Sequence, residues 1–174
     1  MIITLIGMPG AGKSSVGNAL ASHLGYCFID TDALIQEYSG SALQELIDEK
    51  GDTALIDVEE ECILLLELQD NCIISTGGSV IYSEKAMHFL QNQSIIVFLD
   101  VPFGIIKNRL SNLDKRGVVG LKDKGLYQLY KERSGLYAEF AEIRIKVKGR
   151  DKVRDVVGKI VTQTSSVLDV SNDR

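Results

Sequence analysis

Apolar runs of strand length alternate along this chain with segments of helical period, the signature of a parallel sheet covered by helices. The first run is Ile2–Ile6, and the helix expected over residues 15–24 places Val16, Ala19, Leu20, His23 and Leu24 on one stripe. His23 there reads as a packing or surface residue rather than a ligand. A second strand, residues 26–32, runs into two acids, Asp30 and Asp32. From 33 to 68 the pattern is mostly helical, broken at Ser39-Gly40 and Gly51, with Ser41 as the expected cap of a helix through Leu43, Leu46 and Ile47. Two or three helices thus sit between the second and third strands, an insertion that suits a substrate-binding flap.

The third strand, Cys72–Ser75, leads into Thr76-Gly77-Gly78-Ser79, where paired glycines either let a backbone approach a ligand or simply turn tightly. A β-branched fourth strand spans 94–100. It is followed by a helix with Phe103, Ile106 and Leu110 inward and Arg109 near its end. The stretch from Lys115 through Arg116 to Gly125 loses all periodicity and mixes glycines with cations, which reads as a mobile lid rather than a plain surface loop. An amphipathic helix carrying Arg133 over 126–140, a fifth strand over 143–147 and a closing helix over 153–161 complete the pattern. The polar tail 162–174 is expected to fray.

Length and charge narrow the partners. At 174 residues with 45% hydrophobic positions, residues 1–161 are expected to form a single domain with its own core. The net charge of −5 argues against a basic face for nucleic acid, so the expected partner is a small molecule. No apolar run approaches transmembrane length, and the glycine loop begins by the seventh residue, leaving no room for a signal peptide. The reading is cytoplasmic and monomeric. Cys27, Cys62 and Cys72 lack metal-ligand spacing and are expected to be buried free thiols.

The sharpest signal is Gly7-Met8-Pro9-Gly10-Ala11-Gly12-Lys13-Ser14, which fits the phosphate-binding loop G-x-x-x-x-G-K-[S/T] between a strand and a helix. Its glycines let backbone N–H groups turn inward around a triphosphate, and the helix start adds unpaired amides and a positive dipole end. Gly10, Ala11, Gly12, Lys13, Ser14 and Ser15 are therefore the expected ATP contacts. Lys13 would bridge the β- and γ-phosphates, and the Ser14 hydroxyl would ligate Mg²⁺. Either Asp32 or Asp30 can orient or deprotonate an acceptor hydroxyl, leaving the other to hold water of the Mg²⁺ shell. Asp100 reads as structural, because Val101-Pro102 and a helix follow it as an ordinary strand exit.

Taken together, the phosphate loop, Phe28-Ile29-Asp30-Thr31-Asp32, residues 51–59, Thr76-Gly77-Gly78, Arg116 and Arg133-Ser134-Gly135-Leu136-Tyr137 resemble the shikimate kinase family over about residues 1–161. The resemblance implies an α/β P-loop NTPase fold of the nucleoside-monophosphate-kinase type. Its features are a five-stranded parallel sheet with helices on both faces, an inserted flap at about 33–68 and a lid at about 112–125. It further implies ATP-dependent phosphorylation of a hydroxyl on a small carboxylated cyclitol, in the pathway to chorismate and the aromatic amino acids. By position, Asp32 matches the acceptor-binding aspartate and presumed base, and Asp30 the aspartate that supports Mg²⁺ through water. Gly78 matches a backbone contact to the acceptor, with Gly77 and Ser79 beside it also expected at the acceptor; Arg133 matches an arginine on its carboxylate, and Arg116 the lid arginine on the phosphates. Arg109 and Arg150 fall where the family flanks the adenine.

Three positions depart from the family pattern. Ile56 stands where a second carboxylate-binding arginine is usual, Ser79 replaces a third glycine, and Gly117 replaces a proline after the lid arginine. A hydrogen bond to a charged group contributes ~1.5–3 kcal/mol, so an absent arginine at position 56 implies roughly tenfold to hundredfold weaker binding of a carboxylate. Glu59, which steadies that arginine in the family, is expected to face solvent or another cation. Shikimate is the leading acceptor, and another hydroxylated metabolite is the alternative. A nucleotide-binding module without transfer activity would tolerate erosion of Lys13, Asp32 or Arg116, and none is eroded.

Overall fold

The computed structural model describes residues 1–110 and 117–172. β1 (Ile2–Ile6), β2 (Cys27–Asp30), β3 (Cys72–Ser75), β4 (Ile95–Asp100) and β5 (Ile143–Lys146) form one parallel sheet in the order β2-β3-β1-β4-β5. β3 is buried throughout, as are all but the first residue of β1 and all but the end residues of β4. That accounts for their unbroken apolar runs, since a parallel sheet is covered on both faces. β5, at the edge, alternates instead, with Ile143 and Ile145 inward and Arg144 and Lys146 outward. The chain leaves β1 toward one edge and later crosses to the other through β4. The switch point, where ligands of open α/β sheets collect, therefore lies at the carboxyl end of β1.

The helices are α1 (Lys13–Leu24), α2 (Thr31–Ser39), α3 (Leu43–Lys50), α4 (Asp52–Leu64), α5 (Glu84–Gln93), α6 (Phe103–Leu110), α7 (Leu121–Phe140) and α8 (Val153–Asn172). The inserted segment is three helices, α2 to α4. They share a small core of Ile35, Leu46, Ile47, Leu55 and Cys62, separate from the main core around the sheet. Val119, just past the undescribed residues, packs into that small core and joins the start of α7 to the inserted helices.

Several expectations are corrected. α5 is a helix that the pattern did not assign; Ser83 caps it by accepting a hydrogen bond from the Ala86 N–H at 3.0 Å. α3 starts after Ala42, not on a Ser41 cap: the Glu45 carboxylate reaches back to accept from the Ala42 N–H at 3.0 Å. The helical segment after the proposed lid begins at Leu121 and kinks at Gly125, whose φ of 70° an α-helix does not allow. The tail does not fray at residue 162, because α8 continues to Asn172 and buries Thr164. Cys27 and Cys72 are not free thiols. They face each other in register on β2 and β3, with Cα atoms 4.6 Å apart, and are joined as a disulfide, while Cys62 is free and buried. Asp100 is structural as expected, paired with Arg144 on the neighbouring strand at 2.9 Å.

Candidate active site

The loop after β1 closes over its own helix start. Gly10 and Gly12 sit at φ 79° and 94°, the left-handed region that glycine enters without penalty. α1 begins at Lys13 with no side-chain cap, so its first amides remain available to an anion. The Lys13 ammonium folds back onto the carbonyls of Gly7 at 2.8 Å and Met8 at 3.1 Å. Burial lowers its pKa to about 8, with Asp32 and then Glu59 pulling the other way.

A cleft of about 400 Å³ opens beside this loop, within the range of small-molecule sites. Pro9, Gly10, Gly12, Lys13, Ser14 and Ser15 form one wall. Asp30 and Asp32 enter from the β2–α2 junction, Leu55 and Glu59 from α4, and Gly77, Gly78 and Ser79 from the loop after β3. Gly117 and Val118 border it from the far side. The Asp30 Oδ1 accepts from the Asp32 N–H at 3.1 Å, so Asp30 caps α2 and fixes the approach of Asp32. The loop after β3 is tied to the same junction, with the Gly77 N–H donating to the Thr31 hydroxyl at 3.1 Å. At Gly77 there is no room for a side chain: a Cβ would lie 2.2 Å from Glu59 Oε1 and 2.9 Å from Asp32 Oδ1.

Contrary to expectation, Glu59 does not face solvent, and it forms no ion pair with a cation among the described residues. It is 1% exposed, and the Ser79 hydroxyl donates to its Oε2 at 2.6 Å. Burial raises its carboxyl to about pKa 7, offset in part by the Ser79 hydrogen bond and reinforced by Asp32. Thus Ser79 bonds Glu59, the acid expected from the sequence to have lost an arginine partner at position 56. Ile56 itself does not line the cleft; it packs against the small core, and its neighbour Leu55 is the apolar residue that α4 contributes to the cleft.

Arg133 is placed behind the cleft rather than in it. Fully buried, it donates from Nη1 to the Gly78 carbonyl at 2.9 Å, from Nη2 to the Val119 carbonyl at 2.7 Å and from Nε to the Tyr82 hydroxyl at 3.3 Å. Tyr137 donates to the same Gly78 carbonyl at 2.6 Å. In this structure the guanidinium braces the 77–79 loop. Arg109 lies on the outer side of the phosphate loop, donating to the carbonyls of Gly10 at 2.9 Å and Ala11 at 3.2 Å. Arg150 is exposed in the turn after β5; its neighbour Gly149 lies near Ile105 of the helix that carries Arg109. Arg116 lies outside the described residues, as do residues 112–115 at the start of the expected lid.

A parallel sheet in this order, with a phosphate loop on its first strand and two acids facing that loop, defines a phosphate-loop kinase of small molecules. Residues 9–165 match the family model described as Shikimate kinase. The shikimate kinase of Microcystis aeruginosa is 33% identical over 168 residues, 95% of this chain and 87% of that protein. Among solved structures, the shikimate kinase of Aquifex aeolicus is 30% identical with a TM-score of 0.82, covering 97% of this chain and 98% of that one. The shikimate kinase of Acinetobacter baumannii in complex with shikimate is 28% identical with a TM-score of 0.85, covering 95% and 93%. The chain belongs to the shikimate kinase family.

Proposed function

We propose that this protein transfers the γ-phosphoryl group of ATP to a hydroxyl of shikimate, giving shikimate 3-phosphate and ADP. The observation that carries the reading is the convergence of Lys13 and Asp32 on one cleft, from the phosphate loop and from the β2–α2 junction. In the proposed step the hydroxyl oxygen attacks the γ-phosphorus, the bond to the β-phosphate oxygen breaks, and the hydroxyl proton passes to the Asp32 carboxylate. Lys13 offsets the charge on the phosphates, and Arg116 does so from the lid. Gly77, Gly78 and Ser79 border the acceptor, and Arg109 and Arg150 border the base of the nucleotide.

The donor set near the loop suits Mg²⁺. Ser14 and Asp30 offer a hydroxyl and a carboxylate to the same cleft, and no cluster of three metal-binding side chains is present among the described residues. Mg²⁺ keeps several waters and shares the substrate's phosphates, so such a sparse set is adequate. The ion would neutralise charge on the β- and γ-phosphate oxygens, with Ser14 as direct ligand and Asp30 holding its water. No helix among the described residues is long and apolar enough to cross a membrane, and a monomer in the cytoplasm is the working assignment.

A second reading keeps the reaction and changes the acceptor to a hydroxylated metabolite without a carboxylate. The apolar packing of Ile56 favours it, together with the engagement of Arg133 by backbone carbonyls. A coupled ADP-release assay with Mg²⁺-ATP and shikimate, run beside Ile56→Arg, separates the two. Efficient turnover by the unmodified protein supports shikimate. Inactivity that Ile56→Arg relieves supports the second reading.

A further inference from the structure

The proposed step makes no use of Glu59, a fully buried acid on the cleft wall. One of its oxygens is taken: Oε2 accepts from Ser79 at 2.6 Å. The other, Oε1, is buried and has no hydrogen-bond partner among the described residues. It lies over Gly77, on the side where Asp32 Oδ1 also approaches, so acids from α2 and α4 converge on one glycine. A buried acceptor left unmet destabilises the fold, so its persistence on a cleft wall needs a physical reason.

We infer that Glu59 is a specificity residue of the acceptor site, its Oε1 receiving a second hydroxyl of the acceptor beside the one that Asp32 handles, with Ser79 as the positioning residue that aims it. The inference rests on the proposed phosphoryl transfer. A hydroxyl suits the spot better than an ammonium, because the positive charges of Lys13 and Arg133 already bear on Glu59. A hydroxyl can also both donate and accept, and so matches a carboxyl that titrates near neutrality. The acceptor class is therefore a polyol with neighbouring hydroxyls, and Ser79 and Glu59 act as one unit.

The test is steady-state kinetics on the full chain, with Mg²⁺-ATP and a panel of shikimate, quinate, gluconate, glycerate and inositol, followed by analogues of the best acceptor that each lack one hydroxyl. Glu59→Ala is expected to raise the acceptor KM about tenfold or more, with a smaller change in kcat and none in the KM for ATP. Ser79→Ala is expected to raise the acceptor KM about threefold to tenfold. One analogue should be used equally well by the unmodified protein and Glu59→Ala, which identifies the hydroxyl that Glu59 receives. Glu59→Gln, nearly isosteric, covers the case in which Glu59→Ala does not fold, and should fall between the two. An unchanged acceptor KM in both Glu59→Gln and Ser79→Ala overturns the inference, as does an equal penalty on every analogue. If shikimate is inert but another panel member is phosphorylated, the proposed acceptor falls and Glu59 is judged on that other compound. If no panel member is phosphorylated, both fall.

Discussion

The Asp52 carboxylate, on the first residue of α4, accepts a hydrogen bond from the Gly120 N–H at 2.6 Å. Gly120 precedes α7 in the left-handed conformation, so the bond fastens the far end of the expected lid to the inserted helices. Val119 beside it is buried in the small core of those helices, and Lys122 pairs with Asp48 of α3. The Lys122–Asp48 pair is exposed and contributes little. Asp52 is the stronger tie, since it meets a backbone amide that has no helical partner.

Asp52→Ala is therefore expected to lower stability by about 1–2 kcal/mol, the worth of a partly buried hydrogen bond to a charged group. Urea denaturation measures it. Asp48→Ala serves as the comparison, expected to fall within about 0.5 kcal/mol of the unmodified protein. Equal effects of the two substitutions would show that the Asp52 bond does not fasten this segment.

A second prediction concerns the loop lysine. Burial first of all brings Lys13 down to about 8, so near pH 9 most molecules of the free protein carry it neutral. Bound phosphates supply negative charge beside it and raise its pKa again. ATP binding near pH 9 should then take up close to one proton, and far less near pH 7.5, where Lys13 already carries its charge. Calorimetry in buffers of different ionisation enthalpy counts the protons. A count near pH 9 that is the same in Lys13→Ala would overturn the assignment.

Parts of this site were legible in the sequence because they are local. The phosphate loop is eight consecutive residues whose conformation is written in their glycines, and Asp30 ends a strand with Asp32 just beyond it. The bond between Ser79 and Glu59 spans 20 residues and two elements, so spacing could not reveal it. The absence of an arginine at Ile56 and the hydroxyl at Ser79 were both visible, yet only the folded chain brings Ser79 onto the acid left behind. The disulfide was hidden for a similar reason: Cys27 and Cys72 lie 45 residues apart and meet only through the register of two parallel strands. Arg133 reads as a ligand-binding cation from its motif, whereas its three partners, Gly78, Val119 and Tyr82, come from distant segments. α5 was as legible as the rest: Ser83 caps it, and Ala86, Met87 and Leu90 form a buried stripe at helical spacing, so a weak period does not account for its omission.

The final prediction turns the buried acid into a dependence of stability on pH. In the unfolded chain Glu59 titrates near 4.5, and in the folded protein burial raises it to about 7. Below 4.5 both states hold the proton and Glu59 costs nothing. Between 4.5 and about 7 the unfolded state ionises while the folded state does not, so rising pH favours unfolding. Each pH unit in that window costs about 1.4 kcal/mol, for a total on the order of 3 kcal/mol that is fully present above pH 7. Glu59→Gln keeps the shape and removes the titration. Its stability relative to the unmodified protein should therefore rise between pH 5 and pH 7 and level off beyond, as measured by urea denaturation at a series of pH values. A constant difference across that range would mean that Glu59 is ionised in the folded protein throughout. Lys13 or Arg133 would then hold its charge more strongly than burial opposes it.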